Sequence, residues 1–161
     1  MPATLTIDDR ELQAALASLQ QAVGNLRPLY FDIAEDLLQS TQARFSTKTA
    51  PDGEAWAANT QTTINLEWKR KDGSIRPAKG RNDPLVGETG ALKDEIFYAV
   101  AGDSLELGSP MVYAAMMQFG GTKAEFPYLL GDIPARPFLG FSNDDISGIL
   151  AKIEEHLKKA L

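Results

Sequence analysis

The sequence predicts an α+β fold: an N-terminal helix pair and a C-terminal helix packed on a small antiparallel sheet, with a long basic loop. Three observations predict it. Apolar residues recur at helical spacing near both ends of the chain. Between Glu95 and Leu107 they alternate instead, around Gly102-Asp103. The stretch from Ser46 to Gly90 carries neither period and is rich in turn residues and cations.

Taken in order, Asp8 with Glu11 forms a capping box, and Leu12, Leu16, Leu19 and Val23 line one face of a first helix that Gly24 stops. Pro28 suits the first turn of a second helix, with Tyr30, Ile33, Leu37, Thr41 and Phe45 on one face. The short link between the two favours an antiparallel pair. Pro51-Asp52-Gly53 is a turn, and Trp56 after it is placed to pin the loop to the helices. Residues 66–75 read as a small hairpin about Asp72-Gly73, or equally as a long loop. Thr89 to Lys93 turns into a short helix or a strand, and the hairpin 95–107 ends at Gly108-Ser109-Pro110. Val112 to Phe119 is a short helix closed by Gly120-Gly121. Prolines 134 and 137 exclude a central strand, leaving Phe138 to Phe141 as an edge strand. Ser142 and Asp145 cap a last helix with Ile146, Ile149, Leu150, Ile153 and Leu157 on one face. Leu92, Ile96 and Met117 are expected in the core with the helix faces.

Composition narrows the function. At 161 residues the chain fits one domain, 1–161, with basic residues 68–84 as a loop or extended hairpin within it. No apolar run approaches the roughly 20 residues of a membrane-spanning helix, so no membrane partner is expected. The N-terminal MPATLTIDDREL reads as no secretory leader. There is no cysteine, which removes disulfides and thiolate metal sites, and a single histidine, His156. No carboxylate pair is singled out by its neighbours, and Gly87-Glu88-Thr89-Gly90 lacks the lysine of a phosphate loop. We therefore expect no catalytic residue, metal or cofactor, and a hydrolase using scattered acids is the third-ranked reading.

The net charge of −6 argues against a general nucleic-acid binder, yet it is unevenly spread. Lys69, Arg70, Lys71, Arg76, Lys79 and Arg81 crowd a short stretch with one acid, Asp72. That cluster either faces solvent or contacts a polyanion or an acidic partner. The other marked stretch is Tyr113 to Phe141. Gly120-Gly121 reads as a helix stop and turn, or as a ligand cradle. Arg136, fixed between Pro134 and Pro137, is either an intrachain salt bridge or an interface anchor. With Phe119 and Phe138 these residues (Gly120, Gly121, Pro134, Arg136, Pro137) form the expected partner-binding surface.

The ordered set Pro51-Asp52-Gly53 with Trp56, Leu85 with Thr89-Gly90-Ala91-Leu92, Leu107-Gly108-Ser109, Tyr113-Ala114 with Gln118-Phe119-Gly120-Gly121, and Ile133 to Gly140 resembles the phage virion morphogenesis, or tail-completion, family. The resemblance covers about residues 30 to 157. Family members often read Tyr-Ala-x-x-His-Gln-Phe-Gly, and Met117 here replaces that histidine. The resemblance implies a non-enzymatic virion assembly protein, a neck or tail-completion component at the head–tail junction. It further implies a ring, with sixfold symmetry the natural match to a tail. The implied partners are other copies of the chain, neck or connector proteins, and tail terminator or tube proteins, with DNA in the ring lumen. Its place would be the host bacterial cytoplasm during assembly and then the virion. The alternative is a small nucleic-acid-binding or adaptor module using the basic loop 69–81.

Overall fold

The longest element, helix α1 (Arg27–Thr47), organises everything else. The computed structural model describes residues 24–64, 72–74, 83–87, 89–102 and 104–159. The predicted first helix, 8–23, and all six cations of the basic stretch lie outside them. Pro28 sits in the first turn of α1, where its missing N–H costs no hydrogen bond. Leu29, Ile33, Ala34, Leu37, Thr41 and Phe45 form the buried stripe, and Arg44 is buried with them. The helix ends where Lys48 turns left-handed (φ 60°) and donates its N–H to the Arg44 carbonyl at 2.6 Å.

A tight turn follows, closed by an antiparallel bridge between Thr49 and Ala55. Gly53, at φ +89°, supplies the positive dihedral that this turn needs. The turn delivers Trp56 against Phe45, edge to face at 5.3 Å between ring centres. Helix α2 (Gln61–Ile64) is a single turn, and helix α3 (Ala91–Asp94) starts from left-handed Gly90. Within residues 68–84, Asp72 to Ser74, Asp83 and Pro84 are described; the Asp72 carboxylate accepts from the Ser74 amide at 2.9 Å.

Strands β1 (Phe97–Ala101) and β2 (Ser104–Gly108) form the sheet, antiparallel, with Phe97 opposite Gly108 and Ala101 opposite Ser104. Tyr98, Val100, Leu105 and Leu107 alternate with exposed neighbours, as a half-buried hairpin requires. Helix α4 (Ala114–Phe119) and helix α5 (Asn143–Lys158) complete the described elements. Ser142 and Asp145 make the predicted reciprocal capping box at the start of α5. The result is α+β, with α1 between the hairpin and α5.

One core cluster joins Phe45, Ala50, Trp56, Leu92, Ile96, Ala114 and Phe138. Met117, expected in the core, packs on its rim half-buried. A second cluster gathers Leu29, Ile33 and Leu37 with Ile149 from α5. Two expectations need correction. Residues 138–141 form no edge strand; the sheet has two strands among the described residues. The apolar face predicted for the last helix is also mostly uncovered, with only Ile149 of its members against a core cluster.

Candidate functional site

The segment Ile133 to Phe141 is irregular, yet nearly every polar backbone atom in its centre is bonded. Prolines 134 and 137 remove two donors and fix the chain direction. Of the donors that remain, Arg136 N–H bonds the Met117 carbonyl at 2.8 Å. Phe138 N–H and Leu139 N–H both donate to one oxygen, Gln118 Oε1, each at 3.0 Å. The Gln118 amide then donates back to the Leu139 carbonyl at 2.9 Å. Trp56 Nε1 donates to the Pro137 carbonyl at 2.8 Å. Arg44 Nη1 donates to the carbonyls of Phe138 and Gly140, both at 2.9 Å. Three side chains thus do for this segment what a neighbouring strand would do. Burial without them would strand polar backbone atoms, at about 1–3 kcal/mol each.

The double glycine fits the same purpose. Gly120 has φ +72°, and a Cβ there would lie 2.7 Å from both the Ala135 nitrogen and the Ile133 carbonyl oxygen. A Cβ on Gly121 would lie 2.6 Å from Met116 Sδ and 3.0 Å from the Phe126 ring. The pair ends α4 and lets Gly121 exchange two backbone hydrogen bonds with Ile133, at 2.9 and 2.8 Å. Of the two readings of this pair, the described geometry is that of the helix stop and turn, with a close backbone approach added.

Arg136 is 5% exposed. Its Nε donates to the Ala57 carbonyl at 2.7 Å, and its Nη2 to the Ala58 carbonyl at 3.0 Å and to Asn59 Oδ1 at 3.2 Å. Among the described residues no carboxylate pairs with it, and burial lowers its pKa from the ordinary arginine value. Among the described residues, then, the side chain bonds to carbonyl and amide oxygens in place of a carboxylate, and it is buried within the chain. It straps residues 57–59 onto the 133–137 segment. Arg136→Ala is accordingly expected to cost about 1.5–3 kcal/mol per charged hydrogen-bond group lost. It should also raise amide exchange across residues 56–59, measured by hydrogen-exchange mass spectrometry. Unchanged protection there would contradict the strap.

The other predicted contact residues separate. Phe138 is fully buried, 5.6 Å from the Phe45 ring centre. Pro134, Pro137, Gly120 and Gly121 are half-buried. Phe119 is 78% exposed and is the one predicted aromatic that faces outward. Lys69, Arg70, Lys71, Arg76, Lys79 and Arg81 lie outside the described residues.

The structure adds contact candidates that the sequence did not single out. The Gly121–Ile133 bridge closes loop 122–132, whose interior is bonded to itself. Phe126 N–H donates to the Thr122 carbonyl at 2.9 Å, and Lys123 N–H to Asp132 Oδ1 at 2.7 Å. Hydrogen bonds from the Thr122 hydroxyl and backbone hold Glu125 below the usual carboxylate range. Tyr128 and Leu130 stand out from this loop, 76% and 83% exposed. Beneath the segment, Arg44 and Asp145 pair at 2.5 Å with both side chains below 10% exposure. Arg44 was hidden in sequence because it interrupts an otherwise apolar stripe; Gln118 sat inside a recognised phrase without an assigned role.

Chemically, this arrangement fixes backbone shape. No group of three metal-ligating side chains occurs among the described residues. No described helix is long and apolar enough to cross a membrane.

The family model for phage virion morphogenesis proteins matches residues 7–158. The chain belongs to the phage virion morphogenesis family. It is also 29% identical over 158 residues to a protein of Escherichia phage Mu named "Putative capsid assembly protein G", covering 98% of this chain and 95% of that one. No solved structure matches. For this virion morphogenesis protein, the match spans both the double glycine and the segment 133–141, so the scaffold just described lies within the family domain.

Proposed function

We propose that this virion morphogenesis protein is a non-enzymatic neck or tail-completion component acting at the head–tail junction of a phage or prophage. It works by binding, in the host cytoplasm during assembly and afterwards in the virion. Copies join in a ring, with sixfold symmetry the natural match to a tail, and the ring engages neck or connector proteins on one side and tail terminator or tube proteins on the other. Support comes chiefly from the family match over residues 7–158. The structure contributes a self-bonded loop with an apolar crest, set on a rigid segment.

A closed ring needs heterologous contacts, in which one patch docks on a different patch of the next subunit. Phe119, Tyr128 and Leu130 are the residues we assign to one such patch, replacing buried Arg136 and Phe138 in that role. Large exposed apolar and aromatic groups on a rigid support lose little freedom on docking. Changing all three to serine should leave a folded subunit, because none is in the core. Native mass spectrometry of the protein mixed with its neck partners should then show rings for the wild type and single subunits for the variant. A variant that forms rings as readily as wild type overturns the assignment.

The basic stretch supports a second reading, a nucleic-acid-binding or adaptor module. Six cations within residues 69–81 make a local positive field on an acidic chain. That reading requires DNA affinity that falls steeply with salt and is lost on neutralising Lys69, Arg70 and Lys71.

A further inference from the structure

Among the described residues, two hold a left-handed backbone without being glycine, Lys48 at φ 60° and Leu85 at φ 63°. A Cβ disfavours that conformation, so it persists only where the surroundings hold it. Both residues stand at one place in the fold. Lys48 stops α1, a position where glycine is the ordinary occupant. Its ammonium pairs with the Asp83 carboxylate, a contact that glycine has no side chain to make. Leu85 follows Asp83 by two positions, after buried Pro84, and packs on the Phe45–Trp56–Phe138 cluster.

The same place joins two stretches that are distant in sequence. Asn59 Nδ2 donates to the Asp83 carbonyl at 3.3 Å, across 24 positions. Asn59 Oδ1 accepts from Arg136 Nη2 at 3.2 Å, and Trp56 N–H donates to the Lys48 carbonyl at 2.8 Å. The chain between Asn59 and Asp83 is therefore closed at its root, on the end of α1 and beside the Arg136 strap. That length of chain contains Lys69, Arg70, Lys71, Arg76, Lys79 and Arg81.

We propose that Lys48, Asn59 and Asp83 are positioning residues, which hold the root of the basic stretch so that its cations meet duplex DNA from one fixed place. The proposal rests on the nucleic-acid reading of that stretch. Charge supplies the reason for a fixed root. On a chain of net charge −6, cations on an open tether would also settle on the chain's own carboxylates. A closed root limits where they reach, and less freedom is then lost when phosphates are bound.

The root can be opened without changing the net charge. Asp83→Ala removes the carboxylate that Lys48 holds. Asn59→Asp removes the donor to the residue 83 carbonyl and keeps an acceptor for Arg136. In the full-length double variant, hydrogen exchange should rise across residues 83–87 and stay unchanged across 133–137. Affinity for duplex DNA at one fixed salt concentration, read by fluorescence anisotropy, should fall about tenfold, the order for lost preorganisation of several side chains. Lys48→Gly with Asp83→Ala is also charge-neutral and relieves the left-handed backbone, so it serves if the first pair folds poorly. Unchanged DNA affinity with the root open overturns the positioning role and leaves the nucleic-acid reading standing. Unchanged exchange at 83–87 overturns the clamp itself. Wild-type protein that does not bind the duplex removes the nucleic-acid reading, and the proposal with it.

Discussion

Replacing Arg44 with methionine should destabilise the fold by about 3–5 kcal/mol, the range for breaking a buried ion pair from one side. Methionine keeps much of the volume, so the loss is electrostatic. Asp145 would be left buried without its cation, and the carbonyls of Phe138 and Gly140 would lose their donor. The effect has a pH signature. Burial pushes the Asp145 carboxyl up, but hydrogen bonds from Ser40 and Ser142, with the charge of Arg44, outweigh it and leave the pKa lowered. A lowered carboxylate stabilises the fold above its unfolded pKa, near 4, and that contribution fades as pH falls through the folded value. Urea unfolding should therefore show the widest gap between wild type and Arg44→Met near neutrality, narrowing below about pH 4. A gap independent of pH would mean that the pair contributes only packing.

Phe138→Ala should cost a similar 3–5 kcal/mol, as for other large aromatic deletions in cores. Phe138 has no exposed surface and touches the Phe45 ring, which in turn meets Trp56. Deleting it would open a cavity where three parts of the chain converge: the end of α1, the 49–56 turn and the 133–141 segment. Side chains bond the backbone of residues 137–140 on both sides of Phe138, so it has little freedom to close inward. The expected result is a lower urea midpoint with an unchanged slope. A loss under about 1 kcal/mol would mean that the segment collapses into the space, and that its rigidity is overstated.

Legibility in the sequence followed distance along the chain. Helix α1, the hairpin at Gly102 and the Ser142–Asp145 cap were readable because each is written in neighbouring residues at a fixed period. The 133–141 segment, whose residues 138–141 were read as an edge strand, was misread for the opposite reason. Its partners are Arg44, Trp56 and Gln118, as far as 96 positions away, and they bond through side chains that follow no period. The bonds that Arg136 makes among the described residues were not foreseen, since carbonyls of residues 57 and 58 leave no compositional trace as acceptors. The double glycine was read as a turn, while its close approach to Ala135 depends on the tertiary fold. Exposure of Tyr128 and Leu130 was unreadable because an apolar residue in a loop looks the same facing in or out. Family resemblance supplied what local physics could not, the function class.

The central claim, action at the head–tail junction, is tested most directly by deleting this gene in the phage or prophage that carries it and imaging the particles by electron microscopy. The account predicts finished heads and finished tails that remain unjoined, or tails that fail at completion, with joining restored by the gene supplied in trans. Virions joined at the wild-type frequency, or a loss of heads themselves as expected for a capsid-building role, would contradict it.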